Sequence, residues 1–188
     1  MTPDSQEIQS ILKIVSEQID RCKQITGRLL HFARRGKQGN DPMDAGIAVE
    51  QTLVLLAQRA KQKKLIIKSE IEPDLWVLGN ENEWQQVLLN VLTNAMDASD
   101  EGKRIEVHAY REGETITVEV RDQGEGIPNQ NLTRVFDPFF TTKPAGQGTG
   151  LGLFVSYGMV QKMQGHLSID SEEGKGTTVR ISLPSKGV

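Results

Sequence analysis

Gly146-Gln147-Gly148-Thr149-Gly150-Leu151-Gly152 sets a glycine at every second position and then runs straight into Leu153, Phe154 and Val155. Alternating glycines ahead of a helix expose backbone N–H groups to an anion, and the positive end of the helix dipole adds to them. The stretch matches neither of two common phosphate loops. No Gly-Lys-Ser/Thr follows at the spacing of a P-loop, and a long polar segment stands where a Rossmann fingerprint needs a strand. A flexible linker is also glycine-rich, but it is not expected to lead into an apolar run.

Working outward, a helix is predicted from about Leu151 to Met163, closed by Gly165. The preceding residues 123–150 hold no sustained period and much Gly, Pro, Asn and Thr, which suits a functional lid. On either side lie hairpins. Residues 104–110 and 115–120 alternate around Glu112-Gly113-Glu114, and residues 167–171 and 177–183 flank Glu172-Glu173-Gly174-Lys175-Gly176. Further upstream, residues 46–63 carry Val49, Leu53, Leu56 and Ala60 at helical spacing, and residues 82–98 carry Trp84, Val87, Leu88, Val91, Leu92 and Ala95 likewise. Short strands are predicted at 65–71 and 75–78. The expected fold is an α/β two-layer sandwich, a mixed sheet with helices on one face, preceded by a long helix.

That leading helix is read from a heptad pattern over residues 5–35, with Ile8, Val15, Cys22 and Leu29 in one row and Ile11, Ile25 and Phe32 in the other. Such a stripe needs partner helices. Gly36-Lys37-Gln38-Gly39-Asn40-Asp41-Pro42 reads as a break.

The composition bounds the function. The 188 residues suit one well-cored domain with an appendage, and a net charge of −3 argues against nucleic acid as the main partner. The local cluster Arg59, Lys61, Lys63 and Lys64 reads as the solvated end of a helix, ahead of a phosphate or lipid patch. Cys22 is the only cysteine, so no internal disulfide forms. No apolar stretch reaches the ~18 residues of a membrane span, and the N-terminus has no signal-peptide pattern. The chain is expected to be cytoplasmic, and a parent anchored in the inner membrane through upstream segments stays open.

Four groups of side chains carry candidate chemistry. Asn90 and Asn94 lie four apart on the helix predicted at 82–98, so both amides share a face. A carboxamide offers a neutral oxygen to Mg²⁺, although two exposed polar residues would look the same. Asp122 ends a strand beside Gly124 and Gly126, placed to accept a hydrogen bond from an amino group on a flat base, or simply to start a turn. Phe136, Phe139 and Phe140 in the lid either dock on another surface or anchor the loop. Lys143 either reaches a phosphate or is solvated.

Taken in order, NVLTNAMDAS (90–99), DQGEGIP (122–128), FDPFFTTK (136–143), GTGLGL (148–153) and GKGTTVRISLP (174–184) resemble the N, G1, F and G2 boxes and terminal hairpin of sensor histidine kinases of two-component systems. The resemblance covers residues 44–184. It implies the Bergerat ATP-binding fold shared with gyrase, Hsp90 chaperones and MutL proteins, with ATP and Mg²⁺ as cofactors. It assigns the metal to Asn94, the phosphate end to Asn90 and the adenine amino group to Asp122, supported by Thr177. Gly124 and Gly126 shape the base pocket, and Gly146, Gly148, Gly150 and Gly152 form the lid hinge. Asp97, Thr142, Thr149 and Leu151 join the nucleotide-binding set, and Lys143 joins Asn90 as catalytic.

ITGRLLHFAR (25–34) resembles part of the second helix of the family's dimerisation and phosphoacceptor hairpin. This divides the chain into 1–36, an incomplete hairpin, 37–43, a linker, and 44–188, the catalytic domain. The implied partners are a histidine-bearing phosphoacceptor helix, a response regulator receiver domain and a second copy joined through the leading helix. His31 is followed by Phe32 and Ala33, which departs from the acceptor motif, and neither His108 nor His166 fits it. Phosphoryl transfer is therefore expected to end on a histidine outside this chain.

Overall fold

A computed structural model of the chain describes residues 41–144 and 148–186, together with Leu12. The chain divides into two units, Met1–Gly36 and Lys37–Val188, and the second carries all that follows. The heptad stripe and Cys22 lie outside the described residues.

The described part of this unit begins with a strand, which takes in residues 41–43 of the expected linker. β1 (Asp41–Asp44) pairs antiparallel with β3 (Trp76–Gly79), Met43 opposite Val77, and both of these side chains are buried. Asp44 then caps α1 (Ala45–Gln62), its Oδ1 accepting from the backbone N–H of Gly46 at 2.8 Å and of Ile47 at 3.2 Å. This satisfies two of the four N–H groups that a helix start leaves without partners. Ala45, Ala48, Val49, Thr52, Leu56 and Ala60 form the buried face of α1.

α2 (Glu81–Ala98) is capped by Asn80, whose side chain accepts from Glu83 N, and Glu81 and Glu83 complement the dipole in the first turn. Its buried stripe is Trp84, Val87, Leu88, Val91, Leu92, Ala95 and Met96. Trp84 is fully buried, with Nε1 3.4 Å from the Ala45 carbonyl, so it joins the two helices at their N-terminal ends. Truncating such a residue to alanine costs about 3–5 kcal/mol.

The five-stranded sheet runs β2 (Ile66–Ile71), β4 (Arg104–Glu112), β5 (Thr115–Asp122), β7 (Gly176–Pro184), β6 (His166–Glu172). β2 is parallel to β4, and every other pairing is antiparallel. One face is apolar by strict alternation: Ile105, Val107 and Ala109 on β4, Ile116, Val118 and Val120 on β5, Val179, Ile181 and Leu183 on β7. α2 and α4 (Gly152–Lys162) pack on each other, α2 against β5 and β7, and α4 against β6. The predicted α/β two-layer arrangement, a mixed sheet with helices against it, is thus the one observed. One short helix, α3 (Asn129–Leu132), interrupts the expected loop.

Candidate functional site

Asn90, Asn94 and Asp97 fall at i, i+4 and i+7 and share one face of α2. Asn90 is 8% exposed and its amide is fully engaged within the protein. Nδ2 donates to the Gly152 carbonyl at 3.2 Å and to Ser156 Oγ at 3.0 Å, and Oδ1 accepts from Gln86 Nε2 at 3.0 Å. Asn90 therefore ties the root of the lid to α2. Asn94 faces outward: its Oδ1 lies 3.4 Å from Lys143 Nζ, which also reaches Asp97 Oδ2 at 2.9 Å. The Lys143 ammonium thus sits against both oxygens. Among the described residues no group of three or more His, Cys, Asp or Glu side chains can hold a metal by itself.

The carboxylate of Asp122 is 5% exposed at the end of β5. Its Oδ1 accepts from the backbone N–H of Gly124 at 2.8 Å and of Thr177 at 3.2 Å. Oδ2 makes no hydrogen bond among the described residues and remains for an incoming donor. Burial pushes this carboxyl above its ordinary range, against the pull of the two amides. Around it the backbone is stitched tightly: Glu125 N–H reaches the Ala98 carbonyl at 3.1 Å, and Gly174 N–H reaches the Glu125 carbonyl at 2.7 Å. Gly126 sits between these ties at φ +69°, and a Cβ there would fall 2.1 Å from the Glu172 carbonyl oxygen. Ser171 Oγ links the site's edge, bonding Thr177 Oγ1 at 2.9 Å and accepting from Ile127 N–H at 2.8 Å.

Two of the lid's three phenylalanines serve as anchors. Phe136 packs on Tyr157 with ring centroids 5.0 Å apart, and Arg134 stacks over the Phe140 ring at 4.5 Å. Phe139 is 61% exposed and has φ +66°, rare for an aromatic residue. Its N–H bonds the Gly150 carbonyl at 3.0 Å, and Gly150, at φ +64°, leaves no room for a side chain against Phe139.

The remaining predicted residues divide. Gly148, Thr149, Gly150 and Gly152 lead into α4, at whose N-cap Leu151 no side-chain cap is formed among the described residues. Thr149 Oγ1 accepts from Leu151 N–H at 3.4 Å. Leu151 itself is fully buried, so only its backbone can meet a ligand. Thr142 is exposed, and Gly146 lies outside the described residues. His108 stands in β4 beside Glu70, His166 begins β6, and His31 lies outside the described residues.

Arg59 and Lys63 stand at the exposed C-terminal end of α1, as expected, and from there they also converge on Asp97 Oδ1, at 2.7 Å and 3.3 Å, with Lys63 Nζ donating to the Met96 carbonyl at 2.7 Å. Their spacing of four on one helix was the available signal. Burial works against the Asp97 charge, but Lys143 first and Arg59 second outweigh it and hold the carboxyl below its ordinary value. The sequence reading missed Ser156 and Ser171.

The chain is similar to known proteins. The chain is 36% identical over 186 residues to the sensor kinase CckA of Brucella abortus, covering 90% of this chain and 20% of that protein. It is 30% identical over 188 residues to sporulation kinase A of Bacillus subtilis, covering 99% of this chain and 31% of that one. The chain thus spans well under half the length of these relatives. Its structure superposes on the mycobacterial sensor histidine kinase MprB with a TM-score of 0.71 at 29% identity, over 79% of this chain and 99% of that one. The fold is also that of the histidine kinase ThkA in its complex with the response regulator protein TrrA, at TM-score 0.78 and 19% identity over 98% of this chain and 53% of that one. Residues 79–187 match the model of the histidine kinase-, DNA gyrase B- and HSP90-like ATPases. The chain belongs to that family and is an ATP-binding catalytic domain of the sensor histidine kinase kind.

Proposed function

We propose that this chain holds Mg-ATP and presents its γ-phosphoryl group to a histidine on a phosphoacceptor helix, for relay to an aspartate of a response regulator. The carrying observation is Asp122: a buried carboxylate with one oxygen fixed by two backbone amides and the other left for the adenine amino group. Thr177, Gly124 and Gly126 complete the base pocket. Asn94 offers the single neutral oxygen that Mg²⁺ takes from a protein when phosphates and water supply the rest. The metal, when bound, spreads the charge of the β- and γ-phosphates.

The backbone N–H groups of residues 148–152, with Thr142, Thr149 and Lys143, face the polyphosphate, and Asn90 contributes by holding Gly152 in place. A hydrolytic reading is weaker. The ATPase relatives that the sequence resembles use a glutamate where Asn90 stands, and an engaged carboxamide cannot take a proton from water.

In this reading residues 1–36 belong to the dimerisation hairpin and pair with a second copy, and the catalytic domain acts in the cytoplasm. Among the described residues no helix is long and apolar enough to cross a membrane. Incubation with γ-labelled ATP should leave this chain unlabelled and label a separately supplied phosphoacceptor helix. Acid-labile, base-stable label on His31 would refute the separation of catalysis from acceptor.

A further inference from the structure

The face of α2 that carries Asn90 and Asn94 continues to Asp97, and a bare carboxylate there would repel a polyphosphate. Its two oxygens are spoken for by different parts of the fold. Oδ1 faces α1, with Arg59 Nη2 at 2.7 Å and Lys63 Nζ at 3.3 Å. Oδ2 faces the lid, with Lys143 Nζ at 2.9 Å. The same ammonium reaches Asn94 Oδ1 at 3.4 Å. Three cations therefore surround one carboxylate, leaving a surplus of positive charge beside Asn94. None of the four side chains is more than 45% exposed, so the cluster is partly shielded from bulk water.

We propose that Asp97 is a positioning residue: braced by Arg59 and Lys63, it docks the lid lysine Lys143 beside Asn94, where the polyphosphate and its metal arrive. The inference rests on the Mg-ATP reading above and deepens it. α1 thereby becomes part of the nucleotide site without touching nucleotide. The lid lysine is delivered before the ligand binds, so less of its side-chain entropy remains to be lost on binding.

The sign of one substitution separates this from simple electrostatics. Asp97→Asn removes a negative charge from the path of an anion, and charge alone predicts tighter binding. Docking predicts weaker binding, because Lys143 loses its post. Asp97→Asn, Lys143→Met and the double variant are compared in the full chain by two readouts. These are hydrogen exchange of residues 139–144 and 148–151 without nucleotide, and the dissociation constant for Mg-ATP. Asp97→Asn should speed exchange in the lid and weaken Mg-ATP by about tenfold. The double variant should bind no more weakly than Lys143→Met alone. Arg59→Met should shift both readouts in the same direction, and Arg59→Lys should restore them. Equal or tighter Mg-ATP binding by Asp97→Asn, or unchanged lid exchange, overturns the proposal. A wild-type chain that binds no Mg-ATP overturns the nucleotide reading instead, and lid exchange then decides the docking by itself.

Discussion

Asp122→Asn exchanges one carboxylate oxygen for an amino group at nearly constant volume. The carboxamide oxygen can keep the place of Oδ1, accepting from Gly124 and Thr177 N–H at 2.8 and 3.2 Å. The amino group then stands where Oδ2 awaited a donor, so the adenine amino group meets a donor in place of an acceptor. Losing a hydrogen bond to a charged acceptor costs about 1.5–3 kcal/mol, and leaving a desolvated donor unmatched costs about 1–3 kcal/mol more. The sum is a loss of roughly two to four powers of ten in ATP affinity. The fold should not suffer in proportion. Burial already works against this carboxylate, so a neutral side chain relieves a cost while weakening two amide bonds, and the net change is within about 1 kcal/mol. Inosine triphosphate, which carries an oxygen where ATP carries the amino group, should reverse the ranking and bind the variant better than the wild type. Calorimetric titration with both nucleotides, alongside thermal melts, reads all three expectations. ATP affinity retained within about threefold, or equal losses for both nucleotides with a collapsed melting temperature, would refute the assignment of Oδ2 to the base.

Three further outcomes are expected. Gly126→Ala places a Cβ 2.1 Å from the Glu172 carbonyl at φ +69° and should cost about 2–4 kcal/mol, read as a lower urea midpoint. Gly152→Ala is different: the nearest atom to its Cβ is 3.8 Å away on Asn90, so stability should hold within about 1 kcal/mol while ATP affinity falls, because the methyl group enters the phosphate path. Proton linkage should also separate the two acids. The folded carboxyl of Asp122 lies above its unfolded value of 3.8, so its contribution to stability falls as pH rises from there through the folded value. That of Asp97 lies below 3.8, so its contribution is present above that value and is lost as pH falls through the lower one. Urea titrations of wild type, Asp122→Asn and Asp97→Asn across acid pH should show opposite slopes for the two differences.

Local chemistry made most of the fold legible. The 3.6-residue period of Trp84, Val87, Leu88, Val91 and Leu92 marks α2, and Gly113 and Gly174 at positive φ turn the two predicted hairpins. β1 escaped because Asp41-Pro42-Met43-Asp44 has no alternating run, and only Met43 is buried in a pairing with residues far along the chain. α3 is a single turn with no buried residue, so it carries no period to read. The placement of Asp122 at a strand end and of Asn94 on a helix face was legible because such spacing is a local property. The contacts of Arg59, Lys63 and Ser171 were not, since they run to Asp97, Met96 and Ile127 across 33 to 44 residues. The surface charge at the end of α1 has a partner, Asp97, that only the fold brings to it.

Asp122, the acceptor proposed for the base, is a joint between elements made at very different times. Asp122 ends β5, but the second amide that fixes its Oδ1 belongs to Thr177, on the strand that follows the last turn. Ribosomal synthesis delivers α1, α2 and β5 first and β7 last. A nascent or clipped chain that stops short of Thr177 leaves this carboxylate with half of its restraint, and the sheet without the strand between β5 and β6. Under the proposed role of Asp122, recognition of the nucleotide therefore requires that synthesis has run to the final hairpin.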